Sequence, residues 1–360
     1  MSKKTPHPGE ILNRMITDRG FNQRELASRL DIANSLLSNI LNGNRAINIK
    51  LAMLLESINF ENANYWLTKQ IEYELYEAQN DSELIKKQNM IKNWNEIENI
   101  VPISYFKKND LLKSEYEENT KIIFDIYGVN DIKSLKQKVE NYNFNNFRKS
   151  SKFNENKLNV IAWSHLAEYE AKHIKVDPFL KSNEFELIGE LKKCFYENSN
   201  TVEKTKKILR KYGVKFTTLD RPSQTPVDGK SFMCEDNPSI VLSLKYNRLD
   251  NFAFTIMHEL GHVFKHLTNP KYKNKNFFIN DDPTIQFEEY EADNYAKNNL
   301  IELEQWNEFI STNDEFDDES ILKFSKKIKV HPGVIRGRVC FENPDYYRKR
   351  TAITALNILK

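Results

Sequence analysis

The chain has 360 residues, 39% hydrophobic and 29% charged, with a formal net charge of +2. That is enough sequence for two or three folded domains, and it excludes a disordered chain. With so small a net charge, any nucleic-acid binding must come from a local basic patch. No apolar run approaches the length of a membrane span, and the Met1–Pro8 start has no apolar core of the kind a signal peptide needs. Cys194, Cys234 and Cys340 are scattered and odd in number, which points to a reducing cytoplasm and against a disulfide framework.

Residues 1–78 are read as an all-α domain. Pro8 and Gly9 precede a periodic stretch through Ile11, Leu12 and Met15 that ends at Gly20. Asn22 is placed to cap a helix from Gln23 to Leu30, and a tight join at Asp31–Ala33 leads to a second short helix, Asn34–Leu41. Gly43 is placed to stop that helix, and Asn48 to cap the next. Two short helices so closely joined are a helix-turn-helix unit, whose second helix offers its polar edge to the major groove. Residues 1–50 hold eight Lys and Arg against four Asp and Glu, an excess larger than that of the whole chain. Phosphate contact requires such an excess.

The segment HPGEIL…NQRELASRLDI…LLSNILNGNRAINIKLAMLLE…YWL resembles the XRE-type helix-turn-helix, and most closely its HigA-type antitoxin variant. By that analogy Ser35, Ser38 and Asn39 face base edges, while Gln23, Asn42, Asn44 and Arg45 contact phosphates. The resemblance implies an operator duplex bound as a homodimer, with a toxin as a further partner to be sought. Ala33 departs from the pattern, because Ser or Thr usually caps the recognition helix, and Asn34 or Ser35 is expected to take over.

Residues 79–160 are rich in Lys, Glu and Asn and carry helical apolar spacing, so they are read as a helical connecting region. NNFRKSSKFNENKL is expected to be a mobile joint. Residues 213–219 and 239–244 have strand-like content, with 231–234 as a third strand. DRPSQTPVDGK between them is expected to be loop. A small sheet beside a catalytic helix lets a peptidase bind an extended substrate along a sheet edge.

The apolar run Phe252–Met257 leads into His258-Glu259-Leu260-Gly261-His262. Histidines four apart share a helix face and can share one zinc ion, and the glutamate beside the first can take a proton from water there. A third ligand is expected from Glu288–Ala296, which has no Gly or Pro and reads as helix. Glu289 is the preferred ligand. Asp293, four residues on, then accepts the outer N–H of a ligand histidine. Glu291 points roughly 200° away from Glu289 and is the weaker candidate. His266 lies one turn past His262, too far round for the same ion, and is read as structural.

HELGH followed by E-x-E-A-D, with LSLKYNRLDNFAFTIMHELGHVFKH before it and KVHPGVIRGRV after, resembles the ImmA/IrrE-type zinc metallopeptidases over roughly residues 160–345. The resemblance implies an α+β, zincin-like domain of gluzincin type over 161–345, followed by a tail at 346–360. It also implies a Zn²⁺ site with ligands His258, His262 and Glu289, and Glu259 as the catalytic base. His331 and Tyr290 are candidates to stabilise the oxyanion, His331 because of the family's HPG stretch. The whole is expected to be a cytoplasmic DNA-binding regulator whose peptidase cuts a repressor, either a separate one or its own helix-turn-helix region. The competing reading is an antitoxin or repressor whose zinc domain is a sensor or scaffold without proteolysis. The intact Glu259 favours chemistry, because a purely structural zinc has no use for that base.

Overall fold

The computed structural model describes residues 5–142, 154–222, 225, 227–244, 246–272, 277–278, 286–349 and 351–360. The chain divides into two compact units, Met1–Asn93 and Trp94–Lys360. Most of the stretch expected to be a mobile joint lies outside the described residues.

The first unit is helical: α1 (Pro8–Asp18), α2 (Gln23–Arg29), α3 (Asn34–Leu41), α4 (Ile49–Ser57), α5 (Ala63–Asn80) and the start of α6 (Ser82–Glu98). Asn22, Asn48 and Asn62 each cap a helix, their side chains accepting from the N–H three residues on. Each satisfies a backbone donor that a helix start would otherwise leave unpaired. α3 stops where Gly43 takes φ +75° and the Asn44 N–H turns back to the Asn39 carbonyl at 2.8 Å. Leu12, Leu26, Leu37, Leu55 and Trp66 form the core. Gly9 lets α1 lie against α3, since a Cβ there would fall 1.8 Å from the Ile40 carbonyl oxygen. His7 closes the start of α1, its Nδ1 accepting from the Gly9 N–H at 2.9 Å.

The second unit continues with α7 (Ile103–Lys108), α8 (Tyr116–Tyr127), α9 (Ile132–Glu140), α10 (Asn154–His173), α11 (Glu184–Glu197) and α12 (Thr201–Lys211). Strands β1 (Lys215–Thr218), β2 (Gly229–Cys234) and β3 (Asn237–Leu242) lead to α13 (Leu249–Gly261). A π-helical turn, His262–Leu267, extends α13. After β4 (Phe277–Phe278) come α14 (Gln286–Leu300), α15 (Leu303–Thr312), α16 (Asp318–Ile328), α17 (Pro332–Glu342) and α18 (Ile353–Leu356). The sheet order is β1-β3-β2-β4, with β1 parallel to β3 and the other pairs antiparallel.

Strand alternation gives the sheet two apolar faces. Phe216, Ile240 and Leu242 join the core built by α11–α17. Val241, Phe232 and Cys234 join a second core with α7–α10. The helices after Trp94 are therefore not a linker. They cover one face of the sheet, because Val160, Trp163 and Leu166 need the apolar side chains of β2 and β3 to bury them. Residues 346–360 are equally integrated. Ile358 bridges to Arg248, and Asn357 accepts from the N–H groups of Leu249 and Asp250, through its carbonyl and its Oδ1 respectively. The three cysteines are free and buried. Among the described residues, no helix is long and apolar enough to cross a membrane.

Candidate metal centre

α13 is fixed by Phe252, Ala253, Ile256, Met257 and Leu260, all buried in the larger core. Its C-terminal half packs along α14, and Gly261 sets the approach. A Cβ at Gly261 would lie 2.9 Å from the Ala292 Cα and 3.2 Å from the Tyr295 Cβ. The glycine of HELGH and the alanine of the downstream acidic stretch are thus two sides of one close helix contact.

That contact brings His258, His262 and Glu289 together, with ligand atoms all within 4.8 Å of one another. The Nε2 atoms of His258 and His262 are 3.1 Å apart, and Glu289 carboxylate oxygens lie 3.1 Å and 3.3 Å from them. Tetrahedral zinc with bonds of ~2.0–2.1 Å needs donors about 3.3 Å apart. Two imidazoles and one carboxylate at this spacing fit such an ion and leave its fourth position open. His258 Nδ1 meets Asp293 Oδ1 at 2.9 Å, which fixes the ring with Nε2 toward the ligand cluster.

Glu259 is fully buried, and neither carboxylate oxygen has a hydrogen-bond partner. It sits against β2, where a Cβ at Gly229 would lie 2.4 Å from Glu259 Oε1. Burial pushes its pKa up to about 8, partly offset by the nearby His258. An orphaned buried carboxylate is costly unless a cation or water sits beside it. Burial lowers His262 to about 4. Burial would also lower His258, but its hydrogen bonds to Asp293 and Glu289 lift it to about 10.

The π-turn extends the histidine row. His262 Nδ1 lies 3.0 Å from His266 Nδ1, and His266 Nε2 lies 3.2 Å from Glu291 Oε2. His266 is therefore more than packing: it contacts the outer nitrogen of His262, and Glu291 holds it in turn. Glu291 stays out of the three-residue cluster. The sequence signal for this pair was the i, i+4, i+8 run of histidines on one face.

His331 is not brought to this cluster. It caps α17, its Nδ1 accepting from the Gly333 N–H at 3.1 Å, and its charged neighbours are Lys360 and Asp250. Asp250 lies in the first turn of α13, two turns before His258, so His331 sits at the wrong end of that helix for an oxyanion role. Tyr290 is 65% exposed on α14.

In the first unit, Leu37, Ile40 and Leu41 bury one side of α3 and leave Ser35 and Asn39 exposed, with Ser38 half-buried. Asn42, Asn44 and Arg45 follow on the surface. No side chain caps α3, so neither Asn34 nor Ser35 replaces the missing Ser or Thr. Instead the Gln23 amide donates to the Asn34 carbonyl at 3.2 Å and to Asn34 Oδ1 at 2.9 Å, joining the starts of α2 and α3.

A buried HExxH helix crossed by an acidic helix, beside a small sheet, defines a metallopeptidase-type domain. Residues 209–339 match the IrrE N-terminal-like domain of the M78 peptidases, so this segment resembles the ImmA/IrrE-type metallopeptidases. Two Dichelobacter nodosus relatives align over 75 residues, 20% of this chain. Virulence-associated protein A′ is 37% identical over 64% of its length, and virulence-associated protein A is 40% identical over 74% of its length. The chain thus spans just under two thirds of the first. A solved structure from Nostoc punctiforme, named as a proposed antidote protein of a plasmid maintenance system, is 25% identical. It covers 24% of this chain and 96% of its own, with a TM-score of 0.23. The chain joins an N-terminal helix-turn-helix-type region to an IrrE N-terminal-like domain.

Proposed function

We propose that the protein is a DNA-binding regulator with a zinc-dependent endopeptidase domain that cuts a repressor, either a partner or its own N-terminal unit. The observation that carries this reading is the buried, unpartnered carboxylate of Glu259 beside the His258, His262 and Glu289 cluster. His258, His262 and Glu289 would hold the ion, with Asp293 orienting His258. Zinc, when bound, supplies Lewis acidity, which lowers the pKa of water and polarises a peptide carbonyl. Glu259 takes a proton from the attacking water on its carboxylate and delivers it to the leaving amine nitrogen. Gly229 leaves room for that carboxylate to stay against β2.

Glu259→Gln tests the reading. The variant should keep its fold and its metal, while cleavage of the repressor, followed by immunoblot in cells, falls below detection. Equal derepression by wild type and variant would instead make the metal domain a scaffold.

The DNA half of the proposal assigns Ser35, Ser38 and Asn39 to base edges and Gln23, Asn42, Asn44 and Arg45 to the backbone, on a duplex operator bound by a homodimer. Replacing Arg45 should weaken binding to all sequences about equally and flatten the salt slope by roughly one phosphate contact. Replacing Asn39 should change which sequence is preferred. Footprinting of the promoter region of this gene checks both, and the absence of any protected site would sink the assignment.

A further inference from the structure

A cavity of about 410 Å³ is lined by α13 before His258, the end of α14 and α17; none of the metal ligands lines it, and the chemistry above makes no use of it. It is built from the continuation of the two faces that carry the cluster. Phe254 lies one turn before His258, and the two rings are 6.1 Å apart. Lys297 lies one turn beyond Asp293 and two beyond Glu289, so it is the next member of the same i, i+4 row. Leu300, Ile301, Val334 and Phe341 supply the apolar wall. Phe341 stacks on Phe254 with centroids 6.5 Å apart yet remains 57% exposed.

The charges around the cavity are unevenly matched. Arg248 is paired with Asp250, and Arg338 with Glu342. Lys297 makes no ion pair among the described residues, and its ammonium lies 4.7 Å from the centre of the Phe341 ring. The cavity is thus an apolar body with one uncommitted cation at its rim. Its volume falls within the ~300–1,000 Å³ typical of ligand pockets.

We propose that this cavity is a side-chain subsite of the peptidase. It takes a large apolar, preferably aromatic, residue of the polypeptide substrate close to the scissile bond, and Lys297 takes the carboxylate of an acidic neighbour. The inference rests on the peptidase reading above and names the substrate class that reading leaves open. The spacing supports it. One helical turn, about 5.4 Å, separates Phe254 from His258, and two turns separate Lys297 from Glu289. Side chains on one face of an extended peptide recur every ~6.6 Å. A carbonyl held at the cluster therefore places a side chain one or two residues away at the cavity.

Isothermal titration of the zinc-loaded full-length protein separates the two ideas. Acetohydroxamic acid probes the metal alone, and 3-phenylpropanohydroxamic acid adds a phenyl ring at the reach of the cavity. The phenyl probe should bind about tenfold tighter or more, as expected for burial of an aromatic ring. Phe341→Ala should bring that ratio down to about threefold or less. Benzylsuccinic monohydroxamate, which adds a carboxylate, should gain a further factor of about two to five that Lys297→Glu abolishes. A ratio near one in the wild type, or one untouched by Phe341→Ala, overturns the subsite and leaves the metal centre standing. No gain from the carboxylate overturns the role of Lys297. If acetohydroxamic acid does not bind at all, the metal reading fails and the subsite fails with it.

Discussion

Glu289→Ala should strip the purified protein of most of its metal, measured as zinc per chain by mass spectrometry and as affinity by chelator competition. Among the described residues, Glu289 is the only carboxylate that reaches both ligand histidines, at 3.1 Å and 3.3 Å. Its loss should therefore cost more than the ~10–100-fold typical of groups that only orient a ligand. Asp293→Ala should fall within that smaller range, because Asp293 contacts His258 Nδ1 alone. Glu291→Ala should also be mild, since Glu291 acts through His266. A full site in Glu289→Ala beside an empty one in Glu291→Ala would reverse the assignment.

Lys230→Ala should cost the second unit about 3–5 kcal/mol, the usual result of removing one partner of a buried ion pair. Lys230 lies on β2 with no exposed surface, and its ammonium donates to Glu168 Oε1 and Ser164 Oγ, both at 2.6 Å. Glu168 also meets His165 Nδ1 at 3.3 Å, and Tyr142 donates to Ser164 at 2.7 Å. Burial works against the Glu168 charge, but Lys230 and His165 hold its pKa well below the ordinary carboxylate range. The stability that Glu168 contributes is accordingly present above its unfolded pKa of about 4.3 and lost as the pH falls below it. Urea denaturation at neutral pH measures the loss. The double variant Lys230→Met with Glu168→Leu should recover much of it, because no charge is then left buried alone. A single-variant loss below about 1 kcal/mol would mean that the network is not held by this pair.

The parts of the molecule legible from sequence are those set by local spacing. The ends of α3, the HExxH face and the Glu289–Asp293 pair all follow from positions three or four apart. The β1-β3-β2-β4 order and the packing of α7–α10 on the sheet depend on pairing between distant residues, which periodicity does not encode. The place of Glu259 against Gly229 and Ser231 was hidden for the same reason. His331 was misread although the correction was present in the chain. His7-Pro8-Gly9 and His331-Pro332-Gly333 are the same string, and in both the imidazole accepts from the glycine N–H and starts a helix.

The contacts of Asn357 bear on the order of events during synthesis. Domains generally fold as units, N-terminal first, as the chain emerges from the ribosome. The helix carrying His258 and His262 begins at Leu249, and two of its first amide groups are satisfied by Asn357, more than a hundred residues later. The described core of the first unit is drawn from residues 11–67. A nascent chain can thus complete its first helical unit while the start of α13 still lacks its cap, so the unit proposed to bind DNA is finished before the candidate metal site.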